Sequence, residues 1–280
     1  MPKVVKQTLK PVTRRPVTDL RSRGREIGVG FPGFKMNIYG RGKTGKTRLA
    51  CSFPKKLMLI GAAGYGTEDG TRSLGKIDGK FFPLNNTEEV EELAAIAVED
   101  DYQTVVLDTA GGLQERVVNE FLGRDGSARK DWSTVPKGDW GAINGMTIKR
   151  LRALLDLADQ QQKYVVIIAH ERNFNDESNN SDLIFPTVGA ALTPGVAGWL
   201  DGACDYIAQT FIREQSVLGQ KIKVTGREVQ TKNKTGKAEF CLRIGPHPVY
   251  KTGFRLAPSS NLPDLIIDPS FEKIMAIINQ

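Results

Sequence analysis

The sequence predicts an α/β fold: a mostly parallel sheet flanked by helices, followed by antiparallel strands toward the C-terminus. Three observations predict it. Short, continuously apolar runs recur between residues 35 and 170 with helical segments between them, and strands without polar alternation are strands covered on both faces, the condition of a buried parallel sheet. The first of these runs opens into a Gly-rich loop followed by a helical segment. In the last third, strand-like runs of mixed polarity alternate with turn residues, the habit of antiparallel pairs.

The elements follow in order. Residues 1–34 form an arm and residues 35–280 the body. Pro2, Pro11, Pro16 and Pro32, with Gly24, Gly28, Gly30 and Gly33, leave no helical periodicity in the arm, which reads as extended, with a short strand at Val4–Leu9. From Lys35 the pattern changes. Lys35–Tyr39 is a strand, Gly45–Phe53 a helix and Leu57–Gly61 a second strand. Thr87 is placed to cap a helix carrying Glu88, Glu89, Glu91 and Glu92 in its first turns, where the macrodipole favours anions. Thr104–Leu107 is a third strand, ending at Asp108. Ile143, Met146, Ile148, Leu151, Leu154, Leu155 and Leu157 recur at helical spacing and define a long helix over Trp140–Gln161. Tyr164–Ala169 is a fourth strand, ending at His170. Asp205–Ile212, Lys221–Gln230 and Ala238–Ile244 read as strands, with a hairpin turn at Asn233–Gly236. Asp268 as N-cap and Pro269 as first helical residue open a last helix with Phe271, Ile274, Met275 and Ile278 on one stripe.

Composition narrows the function classes. A hydrophobic fraction of 40% and a charged fraction of 25% are those of a globular domain. No apolar run approaches the roughly 18 residues a membrane span needs, and the basic N-terminal stretch has no apolar segment behind it, so an intracellular, cytoplasmic protein is expected. Cys51, Cys204 and Cys241 are scattered and read as reduced, buried thiols. With only His170 and His247 available, a transition-metal cage is disfavoured, and Mg²⁺ held by hydroxyl and carboxylate is the metal to expect. The net charge is +7, and residues 1–35 hold nine basic and two acidic side chains, so the excess belongs to the arm and the body is neutral. Such an arm either contacts nucleic-acid phosphates or is a solvated tail.

Gly40-Arg41-Gly42-Lys43-Thr44-Gly45-Lys46-Thr47 matches the phosphate-loop pattern G-x-x-x-x-G-K-[ST]. The chemistry requires that spacing. Glycines let main-chain N–H groups turn toward a β-phosphate, and the following helix, with Arg48 in its first turn, points its positive end the same way. Lys46 neutralises β/γ oxygens, and the Thr47 hydroxyl ligates Mg²⁺. The second acidic element is Asp108, at the end of a buried strand about sixty residues on with room for one strand between, placed to hold Mg²⁺ through water. Together these residues imply binding of ATP or GTP with Mg²⁺, and hydrolysis.

The order of phosphate loop, strand–Glu, strand–Asp and strand–His resembles the RecA-like P-loop ATPase core. Within it the chain is similar to phage nucleotide-binding proteins related to single-strand-annealing ATPases, through Ile38–Leu49, Tyr65–Leu74, Tyr102–Leu113, Gly138–Leu155 and Val165–Glu171, with a weaker match at Tyr250–Leu256. The resemblance covers about residues 35 to 275. It implies an ATPase acting in phage-type DNA recombination or replication, as a filament or ring on single-stranded DNA, in the bacterial host cytoplasm if phage-encoded. It implies further that Glu68, with Asp69 beside it, polarises the attacking water, that His170 senses the γ-phosphate, and that a neighbouring subunit supplies a cation, for which Lys251 and Arg255, or Lys232 and Lys234, are candidates.

Two polar segments are candidates for a DNA path. Arg124, Arg129, Lys130 and Lys137 lie among Trp132 and Trp140, a combination suited to single strands; Arg172–Pro194 follows the sensor, although its Asn173–Asn180 stretch is not basic. Other readings remain open at this point. A ParA/MinD-like partition or positioning ATPase carries Lys directly after the first loop glycine, where this chain has Arg41. A small-molecule kinase would need an Arg-rich lid, which is not evident. A nucleotide-sensing module without turnover follows if Glu68 is misassigned.

Overall fold

The computed structural model describes residues 33–62, 74–123, 135–174, 187–224, 227–256 and 262–279. The arm over residues 1–32, Glu68 and Asp69, and Arg124, Arg129, Lys130 and Trp132 lie outside them.

The elements are β1 (Phe34–Gly40), α1 (Lys46–Ala50), β2 (Leu57–Ala62), β3 (Gly79–Leu84), α2 (Glu89–Glu99), β4 (Thr104–Asp108), α3 (Ala110–Phe121), α4 (Trp140–Gln161), β5 (Tyr164–Asn173), β6 (Val188–Ala190), α5 (Pro194–Ala203), β7 (Tyr206–Val224), β8 (Arg227–Arg243), β9 (Gly253–Phe254), β10 (Leu265–Ile267) and α6 (Phe271–Ile278). The sheet runs β10-β8-β7-β1-β5-β4-β2-β3. From β7 to β3 every pairing is parallel, and β8 and β10 add antiparallel strands at the other end. This is the expected mostly parallel sheet with a C-terminal antiparallel part.

Strand alternation explains its two cores. Tyr39, Val105, Leu107, Val165, Ile167 and Ala169 point to one face, where they pack with Leu93 and Ala97 of α2, Leu113 of α3, Leu151 and Leu154 of α4 and Leu200 of α5. Met36, Ile38, Val106, Val166 and Ile168 point to the other, against Leu49 of α1 and Ile274 of α6. Each central strand is therefore apolar on consecutive residues because each face has its own helices.

Several local expectations are corrected. The α1 helix ends at Ala50 rather than Phe53; after it the Ser52 and Phe53 amides bond three residues back, to Leu49 O and Ala50 O, so the last turn tightens before Pro54. Two strands, β2 and β3, lie in the chain between the phosphate loop and Asp108, rather than one. Thr87 does not cap α2: its N–H and hydroxyl both donate to Glu120, and Asn86 Oδ1 accepts from the Glu88 and Glu89 amides instead. Ser270, not Asp268, caps α6, accepting from Lys273 N. The strand through His170 continues to Asn173, since β6 pairs with it antiparallel. Helices α3 and α5 add to the expected elements: Thr109 caps the first, its hydroxyl accepting from Gly112 N, and Thr193 followed by Pro194 opens the second.

The largest correction is at the C-terminal strands. Asn233–Gly236 is not a hairpin turn. It lies within β8, where the register moves from Glu214↔Ala238 to Ser216↔Lys234, so β8 carries two more residues than β7 over that step. Gly236 takes φ +74° there, and Thr235 Oγ1 donates to Gln215 O. Turn-forming residues thus build a bulge, which needs the same left-handed backbone as a turn. The chain reverses instead between Val224 and Arg227.

Candidate functional site

Four strands come together where β1 and β4 end. Register sets their order: Gly40 at the end of β1 lies beside His170 of β5 and Thr210 of β7, and Asp108 at the end of β4 lies beside Ile168 of β5. The strand carrying His170 thus stands between the strand that enters the phosphate loop and the strand that ends at Asp108. Ligands of open α/β sheets bind at this edge.

The loop from Gly40 to Gly45 is held from below. A Cβ at Gly40 would collide with the Thr210 carbonyl and hydroxyl, so the close approach of loop and β7 requires glycine. The Thr44 hydroxyl lies 2.7 Å from the Thr210 hydroxyl and donates to Arg41 O at 2.8 Å. Lys43 (φ +63°) and Gly45 (φ +88°) take left-handed backbone, which turns successive amides the same way. From Gly42 to Thr47 no main-chain N–H has a hydrogen-bond acceptor among the described residues. Unsatisfied amides on a concave loop are the donor set of an anion site. With only five residues in α1, its macrodipole is small, and the loop amides and Lys46 carry the anion affinity.

Lys46 is buried, and its ammonium donates to the carbonyls of Gly40 at 2.9 Å and Arg41 at 2.6 Å. Its pKa is lowered, first by burial, against the raising influence of Asp108 and Glu171. A cation resting on two carbonyls of its own loop, among amides with no acceptor of their own, fits an incoming polyphosphate, which would replace both carbonyls. The Thr47 hydroxyl donates to Asp108 Oδ2 at 2.6 Å. Burial raises the Asp108 carboxyl, while the Thr47 hydrogen bond, Lys46 and His170 lower it. Hydroxyl and carboxylate in contact form a hard-oxygen pair suited to Mg²⁺. The His170 ring remains accessible, yet its charged form is disfavoured, first by desolvation and then by Lys46. Lys46, Thr47, Asp108 and His170 are therefore brought together.

Arg48, exposed on α1, lines a cavity beside the loop. The remaining candidates stand elsewhere. Lys137 is exposed in the short 3₁₀ turn before α4. Lys251 pairs with Asp201 at 3.4 Å and lies over the Phe174 ring, and Arg255 binds Asp205 at 2.9 Å. Lys234 pairs with Glu214 at 3.1 Å. Each of these last three cations has its partner within the chain.

Sequence reasoning missed a second layer behind the loop. Arg41 Nε donates to Glu171 Oε1 at 2.7 Å; Gln209 Nε2 donates to Glu171 Oε2 at 3.1 Å; Arg243 Nε donates to Gln209 Oε1 at 3.2 Å. Arg243 in turn lies over the rings of Phe211 and Tyr250. This chain ties the loop to β5, β7 and β8. Its one legible signal was the charged residue after His170, following the apolar run Val165–Ala169.

A family model described as an AAA domain matches residues 33–247. That span begins one residue before β1 and includes the loop, Asp108, His170 and the β7–β8 pair. No curated protein matches the sequence.

Proposed function

The chain belongs to the AAA-domain family, a class of P-loop nucleotide-binding domains, and from that premise we propose that it binds ATP with Mg²⁺ on residues 40–48 and hydrolyses it in phage-type DNA recombination or replication, as an oligomer on single-stranded DNA. One observation carries the nucleotide part. The amides of Gly42–Thr47 have no acceptor among the described residues, and the Lys46 ammonium of the same loop is hydrogen-bonded only to main-chain carbonyls, with a hydroxyl–carboxylate pair at the adjoining Thr47. Thr47 and Asp108 would hold the metal, which supplies positive charge to the β- and γ-oxygens. Lys46 binds the same phosphates, and His170, beside Gly40 on the neighbouring strand, hydrogen-bonds the γ-phosphate or the attacking water. Glu68 is the candidate for the water-activating carboxylate.

The DNA and assembly parts rest on the likeness to phage annealing ATPases, on the basic arm of residues 1–34, and on Arg124, Arg129, Lys130 and Lys137 beside tryptophans. Turnover measured with and without single-stranded oligonucleotide tests both. Stimulation of ATP hydrolysis, with oligomers in electron micrographs under a non-hydrolysable analogue, is the expected result. Hydrolysis indifferent to DNA, by a chain that stays monomeric in every condition, contradicts the DNA and assembly parts. For the nucleotide part, Lys46→Ala loses about two charge-assisted hydrogen bonds, so nucleotide affinity falls on the order of a hundredfold or more while circular dichroism is unchanged.

A further inference from the structure

Beside the phosphate loop lies a cavity of about 230 Å³ lined by Thr44, Gly45, Arg48 and Leu49 on one side and by Phe240 and Asp268–Ser270 on the other. It is smaller than the roughly 300 Å³ at which pockets for drug-sized ligands begin, and so fits a fragment rather than a whole ligand. One wall is aromatic. The Phe240 ring is packed so close to the loop that a Cβ on Gly45 would stand 3.4 Å from its Cδ1. The ring is only partly buried, and none of the described aromatic pairs uses it. The wall beside it is rigid: Asp268 has left-handed backbone (φ +45°), its N–H donates to Phe240 O at 2.8 Å, and its carbonyl accepts from Lys273 Nζ at 2.9 Å. Non-Gly residues held in that region mark places where surrounding structure dictates the backbone. The Asp268 carboxylate itself is exposed and has no partner among the described residues.

We infer that this cavity seats the purine base of the bound nucleotide, with the Phe240 ring as its stacking platform. The inference rests on the nucleotide reading above and adds what binds beyond the phosphates. A base has two demands: a flat apolar face and acceptors for the N–H groups at its edge. Phe240 meets the first, and the Asp268 carboxylate on the rim meets the second. Phe240 stands at the root of the β7–β8 pair, opposite Ile212, so an occupied cavity also touches the strands leading into that ribbon.

Titrations of ATP, UTP and tripolyphosphate separate this inference from the reading it rests on. Wild-type protein should bind ATP at least about tenfold more tightly than tripolyphosphate, since stacking of one base is worth that factor or more, with UTP, whose smaller ring stacks over less area, in between. Phe240→Ala and Phe240→Leu should each weaken ATP about tenfold and leave tripolyphosphate unchanged; Phe240→Trp should keep ATP affinity. In hydrogen exchange, ATP but not tripolyphosphate should slow amides over residues 238–242. If the Ala and Leu variants lose ATP and tripolyphosphate equally, the ring merely supports the loop, and the inference is wrong. Unchanged ATP affinity in both variants places the base elsewhere and overturns it as well. Wild-type protein that fails to bind tripolyphosphate and ATP alike refutes the nucleotide reading itself.

Discussion

At the scale of single residues, the phosphate loop is specified by spacing, and spacing is legible in a sequence. Gly40 illustrates why. Its position in the motif predicts a glycine, and the structure supplies the reason: the carbonyl and hydroxyl of Thr210 occupy the space of a side chain. Gly40→Ala should therefore cost about 1–3 kcal/mol, as overpacking does, read as a lower midpoint in thermal or denaturant unfolding; an unchanged midpoint would mean that β7 yields without cost. Thr47→Val keeps shape and removes the hydroxyl. It should abolish most of the metal-dependent gain in nucleotide affinity, on the order of tenfold, while affinity measured in chelator stays near the wild-type value. Equal losses with and without Mg²⁺ would place the hydroxyl on the phosphates instead. What the sequence did not reveal at this scale is the layer behind the loop. Arg41 and Glu171 are 130 residues apart in the chain, and nothing local marks them as partners. The same holds for Phe240, an aromatic residue in a mixed strand whose neighbour across space is Gly45.

At the scale of elements, β2, β4 and the first part of β5 were readable because both faces of each are buried, leaving few polar residues to blur them. β3 was missed for the complementary reason. It is an edge strand with exposed and half-buried positions and Pro83 within it, a residue tolerated at a sheet edge. The β7–β8 pair was misread because Asn233–Gly236 carries the chemistry of a turn and is used as a bulge. That pair has a consequence for dynamics. β1 supports β7 only as far as Thr210, and β10 supports β8 only as far as Cys241. Beyond these points the two strands rest on each other, with Ile212 and Val217 exposed. A two-stranded ribbon in water is marginal on its own. Amides over residues 212–224 and 227–239 should therefore exchange at least about tenfold faster than those of the same strands at 206–210 and 241–243, by mass-spectrometric hydrogen exchange. Uniform protection along both strands would mean that another surface covers the ribbon.

At the scale of the whole molecule, two apolar cores sandwich the sheet and place its polar strand ends at one edge. No described helix is long and apolar enough to cross a membrane. The three cysteines are buried within this framework, and burial raises each thiol, that of Cys51 to about 11. Because only the thiolate reacts, and a raised pKa keeps its fraction small until the pH approaches that value, folded protein at about pH 8 should release almost no chromophore from an aryl disulfide within minutes, and guanidinium-unfolded protein three equivalents. Rapid labelling of folded protein would show that the cores open readily.

The central claim is that the loop between Gly40 and Thr47 is a built receptacle for polyphosphate, and a crystal structure with Mg²⁺ and a non-hydrolysable ATP analogue tests it most directly. The account predicts a β-phosphate bonded to the amides of Gly42–Thr47, the Lys46 ammonium moved from the Gly40 and Arg41 carbonyls to phosphate oxygens, and Thr47 and Asp108 facing the metal. Analogue bound elsewhere, with Lys46 still on those carbonyls and the amides still without an anion, would contradict it.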